Sequence, residues 1–125
     1  MTLQSIFIVG IGGFVGSALR YVISYYMNIS WSILYPLGTF TVNLAGSFLI
    51  GIIIAATLTE DLNQQARLLL ATGFCGGFTT FSTFSFEFFS LLQNGHTGYA
   101  FLYALGSLAL GLFFVWFGFS LGRLL

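Results

Sequence analysis

The chain has 125 residues, of which 58% are hydrophobic, 19% aromatic and only 5% charged, so too few polar groups exist to clothe a water-soluble domain and an integral membrane protein is implied. Three arginines balance three acids and lysine is absent, which excludes the electrostatic footprint of a nucleic-acid or acidic-surface binder. The lone Cys75 excludes an intrachain disulfide and carries no redox message.

The first apolar run extends over about Leu3 to Met27, close to the roughly 20 residues a helix needs to cross the hydrocarbon core. No Lys or Arg precedes it and it exceeds a signal-peptide core, so it is expected to be retained. Gly12, Gly13, Gly16 and Ser17 make overlapping pairs of small residues four apart, which favour close helix contact. Gly13, Ser17, Arg20 and Ser24 fall on one polar face. Arg20 is either an interfacial anchor that snorkels to the headgroups or a group that draws anions to a pore mouth.

The connection Asn28 to Pro36 carries Trp31 and Tyr35, amphipathic rings expected at headgroup level. A second span follows over about Leu37 to Leu58, with Thr39, Asn43 and Ser47 four apart on one stripe. Asn43 either glues two helices through a side-chain hydrogen bond or contacts a ligand. The polar loop Glu60-Asp61-Leu62-Asn63 leads to a third segment from Arg67 to about Gln93, long enough for two half-helices.

Within that segment Gly76-Gly77 followed by Thr79-Thr80 gives low helix propensity at one spot, so the spacing predicts a break near Gly76 to Thr80. Non-helical backbone at membrane depth is tolerated only where it is buried in protein or lines a wet cavity, which makes the break a site. The competing reading is that the glycines only let another helix pack closely. Thr79, Thr80, Ser82, Thr83 and Ser85 alternate with Phe78, Phe81, Phe84 and Phe86. Phe81 and Phe84 then share a face, while Thr79, Thr83 and Glu87 form a polar stripe. Glu87 is the only acid inside a span, and is either solvated near the interface or part of an aqueous vestibule.

The Asn94-Gly95-His96 connection offers a single His with no second ligand nearby, so no side-chain metal site is indicated. The fourth span covers about Thr97 to Gly122 and sets Tyr103, Ser107 and Gly111 on one stripe. The four spans leave no appendage, so residues 1–125 read as one all-α membrane domain. An even number of spans places both termini with Arg67 and Arg123 on one side, against Arg20 on the other. That charge bias is feeble and permits insertion in either orientation, which makes an antiparallel homodimer available. No nucleophile paired with a base and no phosphate loop is present, so an enzyme is not expected.

The run Gly73-Phe-Cys-Gly-Gly-Phe-Thr-Thr-Phe-Ser-Thr-Phe-Ser85 resembles the signature of the Fluc (CrcB) family of fluoride channels. Gly38-Thr39-Phe40-Thr41-Val42-Asn43-Leu44-Ala45-Gly46 resembles the family's second-helix motif, and Gly16-Ser17-Ala18-Leu19-Arg20 agrees in the first helix. The resemblance implies a dual-topology antiparallel homodimer in the cell (inner) membrane, with two pores that export fluoride passively. It places Asn43, Phe81, Phe84, Tyr103 and Ser107 along the fluoride pathway, to which the Ser82 and Thr83 hydroxyls are added as donors, while Arg20 and Glu87 are candidates from their positions alone. It also implies one structural sodium ion at the dimer centre, held by backbone carbonyls of Gly76 and Thr79, as suits a hard cation. Gly111 departs from the family's pattern, where a hydroxyl residue commonly stands.

Aromatic edges carry the positive side of the ring quadrupole, so the two phenylalanines can face an anion, with amide and hydroxyl donors taking over in turn. The alternative is a small dual-topology multidrug or cation exporter. Such a protein would use a membrane-centre carboxylate for proton coupling, and the first span here has no acid.

Overall fold

The computed structural model describes residues 1–30 and 35–125, and among these every regular element is a helix. Helix α1 spans Leu3–Ser30 and α2 spans Leu37–Leu58. Helix α3 covers 64–78 in three stretches: Gln64–Arg67, the π-wound Leu68–Cys75 and a last α turn at Gly76–Phe78. Helix α4 is Phe81–Gln93 and α5 is Thr97–Leu124. By length and composition α1, α2 and α5 can each cross a membrane alone. Where the sequence suggests a third span, the chain forms α3 and α4 in series, neither of which is long enough to cross alone. Trp31, expected at headgroup level, lies outside the described residues. Tyr35 stacks edge-on to Phe40 and Tyr103, with centroids 5.4 and 5.3 Å away, and its burial pushes the phenol pKa up.

The break falls inside the expected window, but the glycines do not unwind. Gly76 keeps right-handed helical dihedrals, φ −62° and ψ −37°. The helix ends instead at Thr79 (φ −90°, ψ 159°) and Thr80 (φ −150°, ψ 120°). Both threonines lie in extended backbone, which β-branched side chains favour. The polar stripe of Thr79, Thr83 and Glu87 is therefore interrupted, because Thr79 has left the helix and only Thr83 and Glu87 share a face of α4.

What the glycines do is admit α1. A Cβ added at Gly77 would stand 3.0 Å from the Cα of Gly13, and one at Gly73 would stand 2.8 Å from the Val9 carbonyl oxygen. From the other side, a Cβ at Gly16 would meet the Phe74 carbonyl and lie 2.9 Å from the Phe78 amide nitrogen. Backbone thus packs on backbone along the whole α1–α3 seam. In hydrocarbon, where burying apolar surface between helices gains little, this close van der Waals contact is the main source of helix association. The second seam joins α2 to α5 in the same way, through Gly51, whose added Cβ would sit 2.7 Å from the Phe119 nitrogen, and through Gly118 against the Phe48 carbonyl.

Large side chains contribute little to the interior. Among the described hydrophobic residues the wholly buried ones are Val42, Ala55, Ala100 and Tyr103, and α1 and α5 turn rings such as Phe7, Phe14 and Trp116 outward. Outward apolar rings suit lipid as the surrounding solvent.

Gly16→Ala should weaken the fold by about 1–3 kcal/mol, since the new methyl strikes backbone that cannot rotate away. Gly10, where an added Cβ meets nothing within 4 Å, is the matched control and should tolerate Ala. Thermal unfolding followed by size exclusion in detergent measures both; equal melting of the two variants would mean that the seam is not tight.

Candidate functional site

The break exposes backbone groups that helices normally satisfy among themselves, and two side chains from earlier in the chain close them. The Thr80 N–H donates to Asn43 Oδ1 at 2.9 Å, and Asn43 Nδ2 donates to the Thr80 carbonyl at 3.3 Å. A carboxamide has the same donor and acceptor as a peptide group, so Asn43 stands in for the missing helical partners. Arg20 Nε donates to the Gly77 carbonyl at 3.0 Å. That oxygen belongs to the last turn of α3, where carbonyls are orphaned and the helix dipole favours a cation.

The threonines complete the closure. Thr79 directs both its N–H, at 3.0 Å, and its hydroxyl, at 2.9 Å, to the Cys75 carbonyl. Thr80 is the N-cap of α4: its hydroxyl accepts the Thr83 N–H at 3.2 Å, donates to the Thr83 hydroxyl at 3.2 Å, and lies 3.4 Å from Ser82 Oγ. The Gly76 carbonyl also loses its helical donor. In a continuous helix the Thr80 N–H would bond to the Gly76 carbonyl, and here that donor is turned to Asn43.

Beside the break lies a cavity of about 490 Å³ walled by α2, α3, α4 and α5. Asn43, Ser47, Gly76, Thr79, Phe81, Phe84 and Ser107 all face it. Phe81 is 79% exposed, so the wall it forms is open in the single chain. The Phe81 and Phe84 ring centroids are 6.0 Å apart, and Phe84 lies 5.0 Å from the ring of Tyr103. The Ser107 hydroxyl oxygen is buried and meets no hydrogen-bond partner among the described residues.

Behind Phe84 the Tyr103 hydroxyl donates to Glu87 Oε1 at 3.1 Å, and the Thr39 hydroxyl, on a residue only 4% exposed, neighbours both groups. Glu87 is half-buried and tied to α5 rather than freely solvated.

The candidate residues therefore fall into three places. Asn43, Phe81, Phe84 and Ser107 share the cavity with Gly76 and Thr79. Tyr103 and Glu87 adjoin it through Phe84. Ser82, Thr83 and Arg20 do not wall it: the first two lie in the first turn of α4 against the Thr80 cap, and Arg20 reaches the end of α3 from α1. Two residues were passed over as site residues in the sequence. Ser47 faces the cavity, and its spacing of four from Asn43 was the available signal. Thr80 lies at the centre of the break through its backbone, a role that composition does not mark.

A family model described as CrcB-like protein, Camphor Resistance (CrcB) matches residues 7–119. The chain is 46% identical over 121 residues to a protein of Prosthecochloris aestuarii named fluoride-specific ion channel FluC, covering 96% of this chain and 94% of the relative. Relatives of the same name in Chlorobaculum tepidum and in a strain of Thermus thermophilus are each 48% identical, the first over 99% of this chain and 98% of the relative, the second over 92% of each.

Asn43→Leu removes both partners of the Thr80 peptide group and leaves it unpaired at membrane depth, which should cost about 1–3 kcal/mol for each group that finds no water. Hydrogen exchange at Thr80 reads this directly: the amide should exchange at least tenfold faster in the variant. Unchanged protection would show that Asn43 does not hold the break.

Proposed function

The chain belongs to the CrcB family, and from that membership together with the cavity at the helix break we infer that it is a fluoride channel, a multi-pass membrane protein that moves the ion passively and catalyses no reaction. The observation that carries this reading is the meeting, around one cavity, of two phenylalanine rings, a carboxamide and a hydroxyl without a partner among the described residues, none of which puts a fixed cation on the wall. Fluoride is small and strongly hydrated, so a path must replace its water with donors that each hold it weakly enough to release it.

The donors are distinct in kind. Asn43 Nδ2 carries two N–H groups and gives one to Thr80, which leaves the second for an anion. Phe81 and Phe84 offer ring edges, where the quadrupole is positive. The Ser107 hydroxyl finds no acceptor among the described residues, and an anion supplies one. Tyr103 points its proton at Glu87 and shapes the cavity from behind Phe84. Ser82 and Thr83 stand next to the phenylalanines at the start of α4, and Arg20 contributes positive charge near the end of α3. In this reading outward flow through the cell membrane relieves fluoride toxicity.

The working unit in this reading is an antiparallel homodimer with two pores, in which the open wall beside Phe81 is closed by the second copy. The weak arginine asymmetry permits both orientations. At the two-fold axis a structural sodium ion would be held by the carbonyl oxygens of Gly76 and Thr79 from each copy. The residues fit that role: the Gly76 carbonyl has lost its helical donor, Thr79 is extended, both face the cavity, and an added Cβ at Gly76 would meet nothing within 4 Å. Bound there, the cation would supply positive charge that balances facing carbonyl dipoles.

Two measurements test the assembly and the pathway. A reporter cysteine at Thr2, in a background lacking Cys75, should label from both faces of the membrane, and replacing sodium by a bulky organic cation should lower the temperature at which dimers dissociate. Labelling from one face alone removes dual topology, and dissociation indifferent to sodium removes the ion.

For the pathway, liposomes loaded with fluoride or chloride should lose fluoride far faster. Phe81→Ile and Phe84→Ile keep the site apolar, with a stability change under about 1.5 kcal/mol, yet losing about 2.7 kcal/mol of stabilisation at the barrier slows flux roughly a hundredfold. Phe114→Ile is the control, because that ring packs edge-on to Phe48 with centroids 6.4 Å apart and does not face the cavity. Equal flux in all three variants would make the rings filler.

A further inference from the structure

Ser47 lies one helical turn beyond Asn43 on α2 and faces the same cavity. Across from it on α5 is Gly111: a Cβ built there would stand 3.7 Å from Ser47 Oγ. Ser107 precedes Gly111 by one turn of α5, so it lies on the same face, and its hydroxyl oxygen is buried without a partner among the described residues. A buried hydroxyl left unpaired is a deficit that an acceptor entering the cavity would remove. Around these two hydroxyls the wall is apolar, with Ile50, Ala104 and Leu108.

We propose that Ser47 is an anion-binding residue of the conduction path, its hydroxyl joining that of Ser107 in a subsite for a small anion one turn beyond Asn43. The inference rests on the channel reading and adds a ligand to it. The hydroxyl has to come from α2, because at this level α5 presents Gly111 and has no side chain to donate. Two rotatable O–H groups on facing helices suit a permeant anion. They turn to donate as the ion arrives, carry no net charge that would trap it, and share the cavity with the Asn43 carboxamide, so the ion passes from one neutral donor set to the next.

Gly111 also supplies the test, since 3.7 Å is ordinary contact distance and a serine can enter there without displacing α2. Fluoride efflux from liposomes is compared for the wild type, Ser47→Ala, Ser47→Thr and the double variant Ser47→Ala/Gly111→Ser, each confirmed by size exclusion to assemble like the wild type. Ser47→Ala should slow efflux by about tenfold, the effect of one hydrogen bond to a charged group. Ser47→Thr keeps the hydroxyl and should stay within about threefold of the wild type, as should the double variant, in which the donor returns from the opposite helix. A structural role for Ser47 would not be rescued from α5. Wild-type efflux in Ser47→Ala, or slowing that Gly111→Ser does not reverse, overturns the subsite while leaving the channel intact. A wild-type chain that carries no fluoride overturns the channel reading and the subsite with it.

Discussion

The pairing of the Asn43 carboxamide with the Thr80 peptide group is the constraint on which the rest of the structure depends. A membrane helix can stop at mid-span only if the backbone groups it frees find other partners, and in hydrocarbon water is not at hand to provide them. Asn43 provides both a donor and an acceptor at once. With those bonds made, α3 can end, α4 can begin under the Thr80 cap, and the break lies on the wall of the cavity that Phe81 and Phe84 face. A leucine at position 43 would pack as well on its neighbours but would leave that peptide group with nothing.

Positioning of the break relative to the rest comes from α1. Its glycines bring backbone against backbone with α3, and this closeness lets Arg20 reach the Gly77 carbonyl with its short Nε rather than its terminal nitrogens. A cation in the bilayer is expensive unless it is paired or hydrated, so its bond to the negative end of a helix accounts for its presence at that depth. The second seam, α2 on α5, sets the opposite wall of the cavity through Gly51 and Gly118. Small residues thus do here what large apolar side chains do in a soluble core.

Much of this was legible in the sequence, and the parts that were not have physical reasons. Span number and the location of the break followed from hydropathy and from weak helix propensity around Gly76 to Thr80. Which residues unwind did not, because glycine signals both flexibility and close contact, and only the presence of Gly13 opposite Gly77 decides for contact. Asn43 could be read as helix glue or as a ligand; its bonds go to backbone, with one N–H to spare, so the first role leaves room for the second. Arg20 was assigned to a mouth or an interface because sequence spacing cannot show that a carbonyl 57 positions later lies within reach. Ser47 was visible as the end of a stripe, yet nothing along the chain reveals that its counterpart on α5 is a glycine.

Chain order gives the pairing at the break a further consequence, for biogenesis. Thr80 finds its partner 37 residues earlier and Gly77 finds Arg20 57 residues earlier, so both partners are synthesised before the segment that needs them. Synthesis proceeds from the N-terminus at roughly 5–20 residues per second, which allows α1 and α2 to be in the bilayer, with side-chain bonding groups free, when the broken segment leaves the ribosome. The interrupted span then never has to enter lipid by itself: a template made earlier in the same chain receives it. A circular rearrangement that moved α3 and α4 to the front would keep the packing of helix on helix, and would still ask the membrane to accept an unpaired break first.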